Sequence, residues 1–136
     1  MFSIGDLSKR VGVKVPTIRY YEQIGLLEPP ERSNGNQRRY SPAALKRLSF
    51  IRHSRELGFS IEDISELLDL SLHPEEPCGE AHAIAVRHLE DVQKKLKKLR
   101  SLEMELKRVS ECDANNLSQC KVIETLADHQ HCLSDH

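Results

Sequence analysis

Residues 15–25 read VPTIRYYEQIG, and the architecture of the N-terminal part of the chain can be predicted outward from this stretch. A proline is tolerated in the first turn of a helix because the amide that it lacks has no helical partner there, so Pro16 predicts a helix start. That helix continues to Gly25. A preceding helix is predicted between Ser3, as its capping residue, and Gly12, as its end. Two short helices joined by a glycine turn are typical of a helix-turn-helix.

The segment that follows has the composition of a β-hairpin. Residues 27–40 read LEPPERSNGNQRRY, with turn residues at the centre and a basic, aromatic return arm. Asn34-Gly35 favours a tight hairpin because both residue types accept a positive φ. A hairpin wing beside a helix-turn-helix would let arginines reach a neighbouring phosphate run or the minor groove. These arginines are Arg32, Arg38 and Arg39.

Two further helices are predicted after the hairpin. Ser41-Pro42 has the form of a capping residue followed by a proline in the first turn, and apolar residues then recur at helical spacing up to Gly58. Ser60 caps the next helix, which the stretch HPEEP at residues 73–77 ends. The N-terminal part of the chain is therefore expected to be a compact helical head.

One long helix is predicted from Gly79 to about Ser110, because apolar residues recur there at alternating spacings of four and three with no internal proline or glycine. They include Ala85, Leu89, Val92, Leu96 and Leu99. So small a head cannot cover this stripe, and we expect the helix to pair with a second copy of the chain as a coiled coil. Parallel and antiparallel pairing both satisfy the stripe.

Charge is distributed unevenly between the two halves. Residues 1–57 carry eleven lysines and arginines against five acids, whereas residues 58–136 carry nine against sixteen. A basic head fits docking on nucleic-acid phosphates. An enzyme is not expected, because no nucleophile with its base, glycine-rich phosphate loop or carboxylate pair occurs at a meaningful spacing. No apolar window approaches the roughly 20 residues that span a bilayer, so we expect a cytoplasmic protein without a membrane partner.

The four cysteines, Cys78, Cys112, Cys120 and Cys132, all lie in the second half. The cytosol keeps thiols reduced, which favours metal binding or redox sensing over disulfides. Thiolates select soft or borderline ions such as Cu(I), Zn(II), Cd(II), Hg(II) and Pb(II). The sequence therefore predicts a thiophilic metal ion as the ligand.

The positions of the cysteines constrain which of them share an ion. Cys78 precedes the long helix and Cys112 follows it, so the two thiols of one chain should lie about 50 Å apart. In an antiparallel pair, however, Cys78 of one subunit meets Cys112 and Cys120 of the other, and two symmetric sites form. Auxiliary ligands are available in His82, His88, His129, His131 and Cys132.

These elements predict a mainly α protein in three parts. A winged helix-turn-helix DNA-binding domain occupies residues 1–70, and an antiparallel coiled-coil dimerisation helix occupies residues 78–111. Residues 112–136 form a metal-binding loop, a short helix carrying Val122, Ile123 and Leu126, and a tail.

Several motifs together resemble the MerR family of metal-responsive regulators: Arg19-Tyr20-Tyr21-Glu22, Gly25-Leu26-Leu27, Arg32 with Asn36 and Arg38-x-Tyr40, Leu48-x-Phe50-Ile51, and Leu57-Gly58-Phe59-Ser60-Ile61. The resemblance covers essentially the whole chain. It implies DNA contacts by Thr17, Arg19 and Tyr20 on the second helix and by Arg38 and Tyr40 in or near the wing, to which we add Lys14 and Arg32. Tyr40 could instead anchor the wing, and Tyr21 is expected in the core.

The resemblance also implies a mechanism and partners. Members bind double-stranded promoter DNA as homodimers, at promoters whose spacer is too long for RNA polymerase, and the metal-bound dimer distorts that DNA so that transcription is activated. The deformation energy of such sites is of the order of 1–10 kcal/mol.

The choice of metal depends on the cysteine pattern. Cys78 is similar to the thiol that cadmium, lead and mercury sensors carry before the long helix. Zinc-type relatives have adjacent cysteines where Asp113 here follows Cys112. The seven-residue loop between Cys112 and Cys120 also resembles the copper type, so a monovalent copper or silver sensor is the alternative to a divalent sensor. A redox-sensing regulator is a further alternative, although the usual clustered cysteines are absent.

Overall fold

The structure is a computed structural model that describes residues 1–32, 35, 38–111 and 120–127. It is mainly α-helical, as predicted. Within the described residues the elements are α1 (Ile4–Val11), α2 (Val15–Gln23), β1 (Glu31–Arg32), β2 (Arg38–Arg39), α3 (Pro42–Glu56), α4 (Ile61–Ser71), α5 (Gly79–Ser110) and α6 (Lys121–Ala127).

Serine caps fix the starts of three helices, and all three were predicted. The hydroxyls of Ser3, Ser41 and Ser60 each accept a hydrogen bond of 3.1 Å from the backbone amide three residues further on. Such a bond satisfies one of the amides that lack a partner within the helix. The local sequence therefore determines where α1, α3 and α4 begin.

A left-handed glycine makes the turn of the helix-turn-helix. Gly12 has φ of 79° and its amide donates to the Ser8 carbonyl, which ends α1. Residues with a Cβ rarely adopt this conformation, so glycine suits the position. The helix α2 begins three residues later, with proline in its first turn as predicted.

The wing is a short antiparallel hairpin. Glu31 lies opposite Arg39 and Arg32 lies opposite Arg38. The predicted turn at Asn34 falls outside the described residues, apart from Gly35, which forms a turn. At the base of the wing, Phe2 and Tyr40 exchange two backbone hydrogen bonds, of 2.7 and 2.8 Å.

The chain divides into two compact units, Met1–Ala81 and a second that begins at His82. The core of the first unit draws on α1, α2, α3, α4 and the base of the wing. Its fully buried side chains are Leu7, Ile18, Leu27, Tyr40, Leu48, Ile51 and Ile64. The predicted three-part division into residues 1–70, 78–111 and 112–136 stays a prediction.

The second unit contains nearly all of α5 together with α6. The predicted bounds of the long helix, Gly79 and Ser110, are those of α5. The short predicted helix is α6, which carries Val122, Ile123 and Leu126. Among the helices that the structure describes, none is both long and apolar enough to cross a bilayer.

Candidate DNA-binding surface and cysteine sites

The helix α2 has one buried face and one exposed face. Ile18 and Tyr21 are buried in the core, which confirms the expectation for Tyr21. Arg19 and Tyr20 are exposed, and half of the Tyr20 surface is accessible. The exposed part of the helix therefore presents a guanidinium and a phenol to a ligand outside the protein.

Two further predicted residues lie at the start of α2. Lys14 is the residue before the first helical turn and is exposed. Thr17 is half-buried, and its amide donates to the Lys14 carbonyl at 3.0 Å. The first turn of a helix carries a partial positive charge, so anionic phosphate is favoured there. The structure thus groups Lys14, Thr17, Arg19 and Tyr20 along one helix.

The wing contributes a second basic group. Arg32 is exposed on β1, and Arg39 is half-buried on β2. Arg38 lies on β2 opposite Arg32, and its side chain is outside the described residues. The two strands therefore carry three arginines within a ladder of two residue pairs, which concentrates positive charge.

Tyr40 lies in the core and links the wing to α2. Only 1% of its surface is exposed, and its hydroxyl donates a hydrogen bond to the Glu22 carboxylate near the end of α2. This geometry favours the anchoring role, whereas a direct DNA contact by Tyr40 stays a prediction.

Three arginines of α3 bind backbone carbonyls outside α3, and these contacts were not predicted from the sequence. Arg47 Nε donates to the Leu26 carbonyl at 2.8 Å, and Arg55 Nη1 donates to the Phe59 carbonyl at 2.8 Å. Arg52 Nη1 donates to the Val11 carbonyl, and its Nε lies 3.0 Å from the Glu56 carboxylate. Much of the positive charge on α3 therefore holds neighbouring turns in place.

The cysteines that the structure describes are both free thiols. Cys78 is exposed in the first unit, immediately before α5, and Cys120 is half-buried in the second unit, immediately before α6. Cys112 and Cys132 lie outside the described residues. Thiol donors of this kind fit a soft or borderline ion.

The auxiliary histidines are only partly described. His82 is exposed and His88 is half-buried, both on α5. His129 and His131 fall outside the described residues. Within the described part of a single chain, no three His, Cys, Asp or Glu side chains are grouped closely enough to hold a metal ion.

A head made of two short helices around a glycine turn, with an arginine-bearing hairpin beside them, defines a winged helix-turn-helix regulator. Comparison with known families agrees. The profile described as MerR HTH family regulatory protein matches residues 2–71, and the profile described as MerR, DNA binding matches residues 45–109.

The chain is also similar to individual transcription regulators, over more than nine tenths of both chains in each comparison. The chain is 38% identical over 127 residues to the mercuric resistance operon regulatory protein of Bacillus cereus, which covers 92% of this chain and 96% of that protein. It is 38% identical over 130 residues to the transcriptional regulator ZntR of Escherichia coli K12, covering 93% and 92%. Its structure is similar to that of the transcription regulator PbrR691 of Ralstonia metallidurans CH34 in complex with lead(II), with a TM-score of 0.79, 41% identity and coverage of 93% and 99%.

The chain belongs to the MerR family. It is a DNA-binding transcription regulator and not an enzyme.

Proposed function

We propose that this protein activates transcription from promoter DNA when a thiophilic divalent metal ion, such as cadmium, lead, mercury or zinc, binds to its cysteines. The observation that carries this proposal is the likeness to the lead(II)-bound regulator, which extends over 93% of this chain and 99% of the other. A relative named for mercuric resistance supports the same class of ion. The protein would act in the cytoplasm, where promoter DNA and reduced thiols are both available.

The exposed face of α2 and the wing would bind the DNA. In this arrangement Lys14 and the wing arginines contact phosphates, which fixes the register of the protein on the duplex. Thr17, Arg19 and Tyr20 are placed to contact DNA from the helix, and a few base contacts there would provide sequence specificity. Tyr40 would act indirectly, by holding the wing against α2 through Glu22.

A second copy of the chain would cover the apolar stripe of α5. Leu89, Val92, Leu96 and Leu99 are all exposed in the single chain. An exposed apolar stripe at alternating spacings of three and four residues is typical of a coiled-coil seam. Burying one leucine contributes about 1.5–3 kcal/mol. We infer an antiparallel homodimer, because that pairing brings the start of one α5 beside the end of the other. Cys78 of one chain would then lie near Cys112 and Cys120 of its partner.

The metal ion would be held across the dimer by Cys78 of one subunit and by Cys112 and Cys120 of the other. Three thiolates suit cadmium, lead and mercury, and zinc would require a fourth ligand, for which His82 and His88 are the described candidates. Thiolates must be deprotonated to bind, so metal binding releases protons.

Activation would work through DNA deformation. Bending and untwisting a promoter spacer costs of the order of 1–10 kcal/mol, and RNA polymerase then finds its two promoter elements aligned. A ligand shifts a conformational equilibrium only by its difference in affinity for the two states. The metal ion must therefore favour the DNA-distorting geometry by a comparable free energy.

The proposed function can be tested with the full chain in vitro. A duplex that binds the reduced protein is selected from a random pool and placed in promoters that differ only in spacer length. We expect Cd(II) to raise transcription by RNA polymerase from a long-spacer promoter, and ultraviolet thiolate-to-metal absorption to develop in parallel. A response to Cu(I) or Ag(I) and to no divalent ion would show that the protein senses a monovalent ion. Absence of a response to every ion would contradict metal sensing.

The DNA surface is tested by Arg19→Ala. We expect the affinity for the selected duplex to fall by about tenfold to 100-fold. The slope of log K against log salt concentration should become less negative by about one. The number of cadmium ions bound per dimer should not change. Lys94→Ala removes the same charge from α5 and should alter DNA affinity less than about twofold. Equal DNA binding by Arg19→Ala would refute the assignment of Arg19.

A further inference from the structure

Two arginines of α3 lie at opposite ends of the DNA-facing helix α2. Arg52 bonds the last residue of α1, just before the turn that leads into α2, and Arg47 bonds the segment just after α2. Both contacts are made to backbone carbonyls rather than to side chains. Each is therefore a contact that fixes the path of the main chain.

At the leading end, Arg52 caps α1 and lies against the glycine turn. The Val11 carbonyl is one of the last four of α1, which have no partner within the helix, and a cation also interacts favourably with the negative end of the helix dipole. A Cβ built on Gly12 would lie 3.0 Å from Arg52 Nη1. The guanidinium thus occupies the space that a larger residue in the turn would need.

At the trailing end, Arg47 fixes the chain where it leaves α2. Its Nε donates to the Leu26 carbonyl at 2.8 Å. The amides of Leu26 and Leu27 donate back to the Tyr21 carbonyl, at 2.9 and 3.2 Å. The carbonyl that Arg47 holds is therefore connected directly to the last turn of α2.

We propose that Arg47 and Arg52 are positioning residues, which set the orientation of α2 on the duplex and do not neutralise phosphates. The inference rests on the proposed role of α2 in DNA binding. Specific contacts require base edges and side chains to meet at hydrogen-bond distance, whereas non-specific binding requires only charge near the backbone. A small rotation of α2 therefore reduces specific binding much more than non-specific binding.

Arg55 provides a matched control on the same helix. It too donates to a backbone carbonyl at 2.8 Å, but that carbonyl belongs to Phe59, in the segment between α3 and α4 and not in a segment that flanks α2. Replacing Arg55 by methionine removes the same charge and the same kind of bond. A difference from Arg47 then reports the position of the bond and not its loss. Arg52→Met also removes the exposed ion pair with Glu56, so Glu56→Gln is measured beside it.

The experiment compares Arg47→Met, Arg52→Met and Arg55→Met in the full chain, with Arg19→Ala as the reference for a direct contact. Affinities are measured for the selected duplex and a scrambled duplex over a range of salt, below the melting temperature of each variant. We expect Arg47→Met and Arg52→Met to lower affinity for the selected duplex about tenfold, with the scrambled duplex changed less than about twofold and the salt slope unchanged. Arg55→Met should leave the ratio of the two affinities unchanged.

Two results would overturn the inference. If Arg47→Met and Arg52→Met weaken both duplexes and lower the salt slope by about one each, these arginines contact phosphates. If they lower the melting temperature and leave the affinity ratio unchanged, their role is only in stability. If Arg19→Ala has no effect, DNA binding by α2 is refuted instead. Failure of the positioning inference and failure of the proposed function are therefore distinguishable.

Lysine variants keep the test informative if a methionine variant does not fold. A lysine ammonium can still donate to a carbonyl. Arg47→Lys and Arg52→Lys keep the charge but lose the planar geometry of the guanidinium, so we expect the affinity ratio to fall by about threefold, at the salt slope of the unmodified protein. Lysine variants identical to the unmodified protein, beside unfolded methionine variants, would assign the arginines to stability alone.

Discussion

Tyr40 shows how a single buried phenol joins two parts of the DNA-binding head. Its hydroxyl donates to Glu22 on α2, and its backbone pairs with Phe2 at the base of the wing. The same side chain is almost fully buried. Its effect on DNA binding should therefore pass through the geometry of the wing and of α2.

Tyr40→Phe removes this hydrogen bond and little volume. We expect the free energy of unfolding to fall by about 1–3 kcal/mol, because the bond lost is to a charged group in a partly buried site. Urea unfolding measures the change. Tyr20→Phe is the control, because the Tyr20 side chain is half exposed, and its effect should stay within about 0.5 kcal/mol. Unchanged stability with a large loss of DNA affinity would show instead that Tyr40 contacts DNA.

Gly12→Ala and Gly25→Ala separate backbone strain from the loss of the Arg52 contact. Both glycines have positive φ, 79° and 81°, but only the Cβ at residue 12 would meet a neighbour within 4 Å. We expect Gly25→Ala to cost about 1–2 kcal/mol of unfolding free energy, the penalty for a left-handed residue. Gly12→Ala should cost more and should lower the specific-to-scrambled affinity ratio as well. Equal effects in both assays would contradict the contact between Arg52 and the turn.

At the scale of single residues, some contacts could be predicted from the sequence and others could not. The capping serines and Gly12 were predicted because their partners lie within three or four residues along the chain. The bonds of Arg47 and Arg52 were not, since their partners are 21 and 41 residues away. No local spacing encodes such a pair, and a basic residue on a basic head is easily taken for a phosphate contact.

Among the elements, α5 raises the clearest question of what covers it. Its 32 residues correspond to about 48 Å of helix, and its apolar stripe is exposed in the single chain. The bounds of α5 followed from the absence of helix-breaking residues, which is a local property. The direction of its partner does not follow from any one chain, because a stripe of leucines fits parallel and antiparallel pairing equally well.

Leu96→Glu tests whether the stripe is a dimer seam. A charge buried at the seam without a partner is costly, so we expect the dissociation constant of the dimer to rise by at least about tenfold. Sedimentation equilibrium at a series of concentrations measures it. Lys95→Glu changes an exposed neighbouring position and should leave the constant within about twofold, apart from small surface electrostatic effects. A dimer unaffected by Leu96→Glu would move the interface elsewhere.

At the scale of the whole molecule, the chain combines a DNA-binding head with the cysteines for which we propose metal binding, Cys78, Cys112 and Cys120. The basic head, the helix and the cysteines were all visible in the sequence, and membership of the MerR family is confirmed. The identity of the ion was not encoded as clearly, since thiolates bind several soft ions. To move a dimer from 1% to 99% active, binding must favour the active state by about 5.5 kcal/mol. Ligands shared by two subunits can supply such a difference, because they are satisfied in one dimer geometry only.

The most direct test is cadmium binding to mixed dimers. Cys78→Ser and Cys120→Ser chains are prepared separately, and each homodimer should bind Cd(II) weakly, because every site lacks one thiol. In the heterodimer, an antiparallel arrangement combines the intact Cys78 of one chain with the intact Cys112 and Cys120 of the other, so one tight site per dimer should return. No recovery of tight binding in verified heterodimers would contradict a metal site shared across the two subunits.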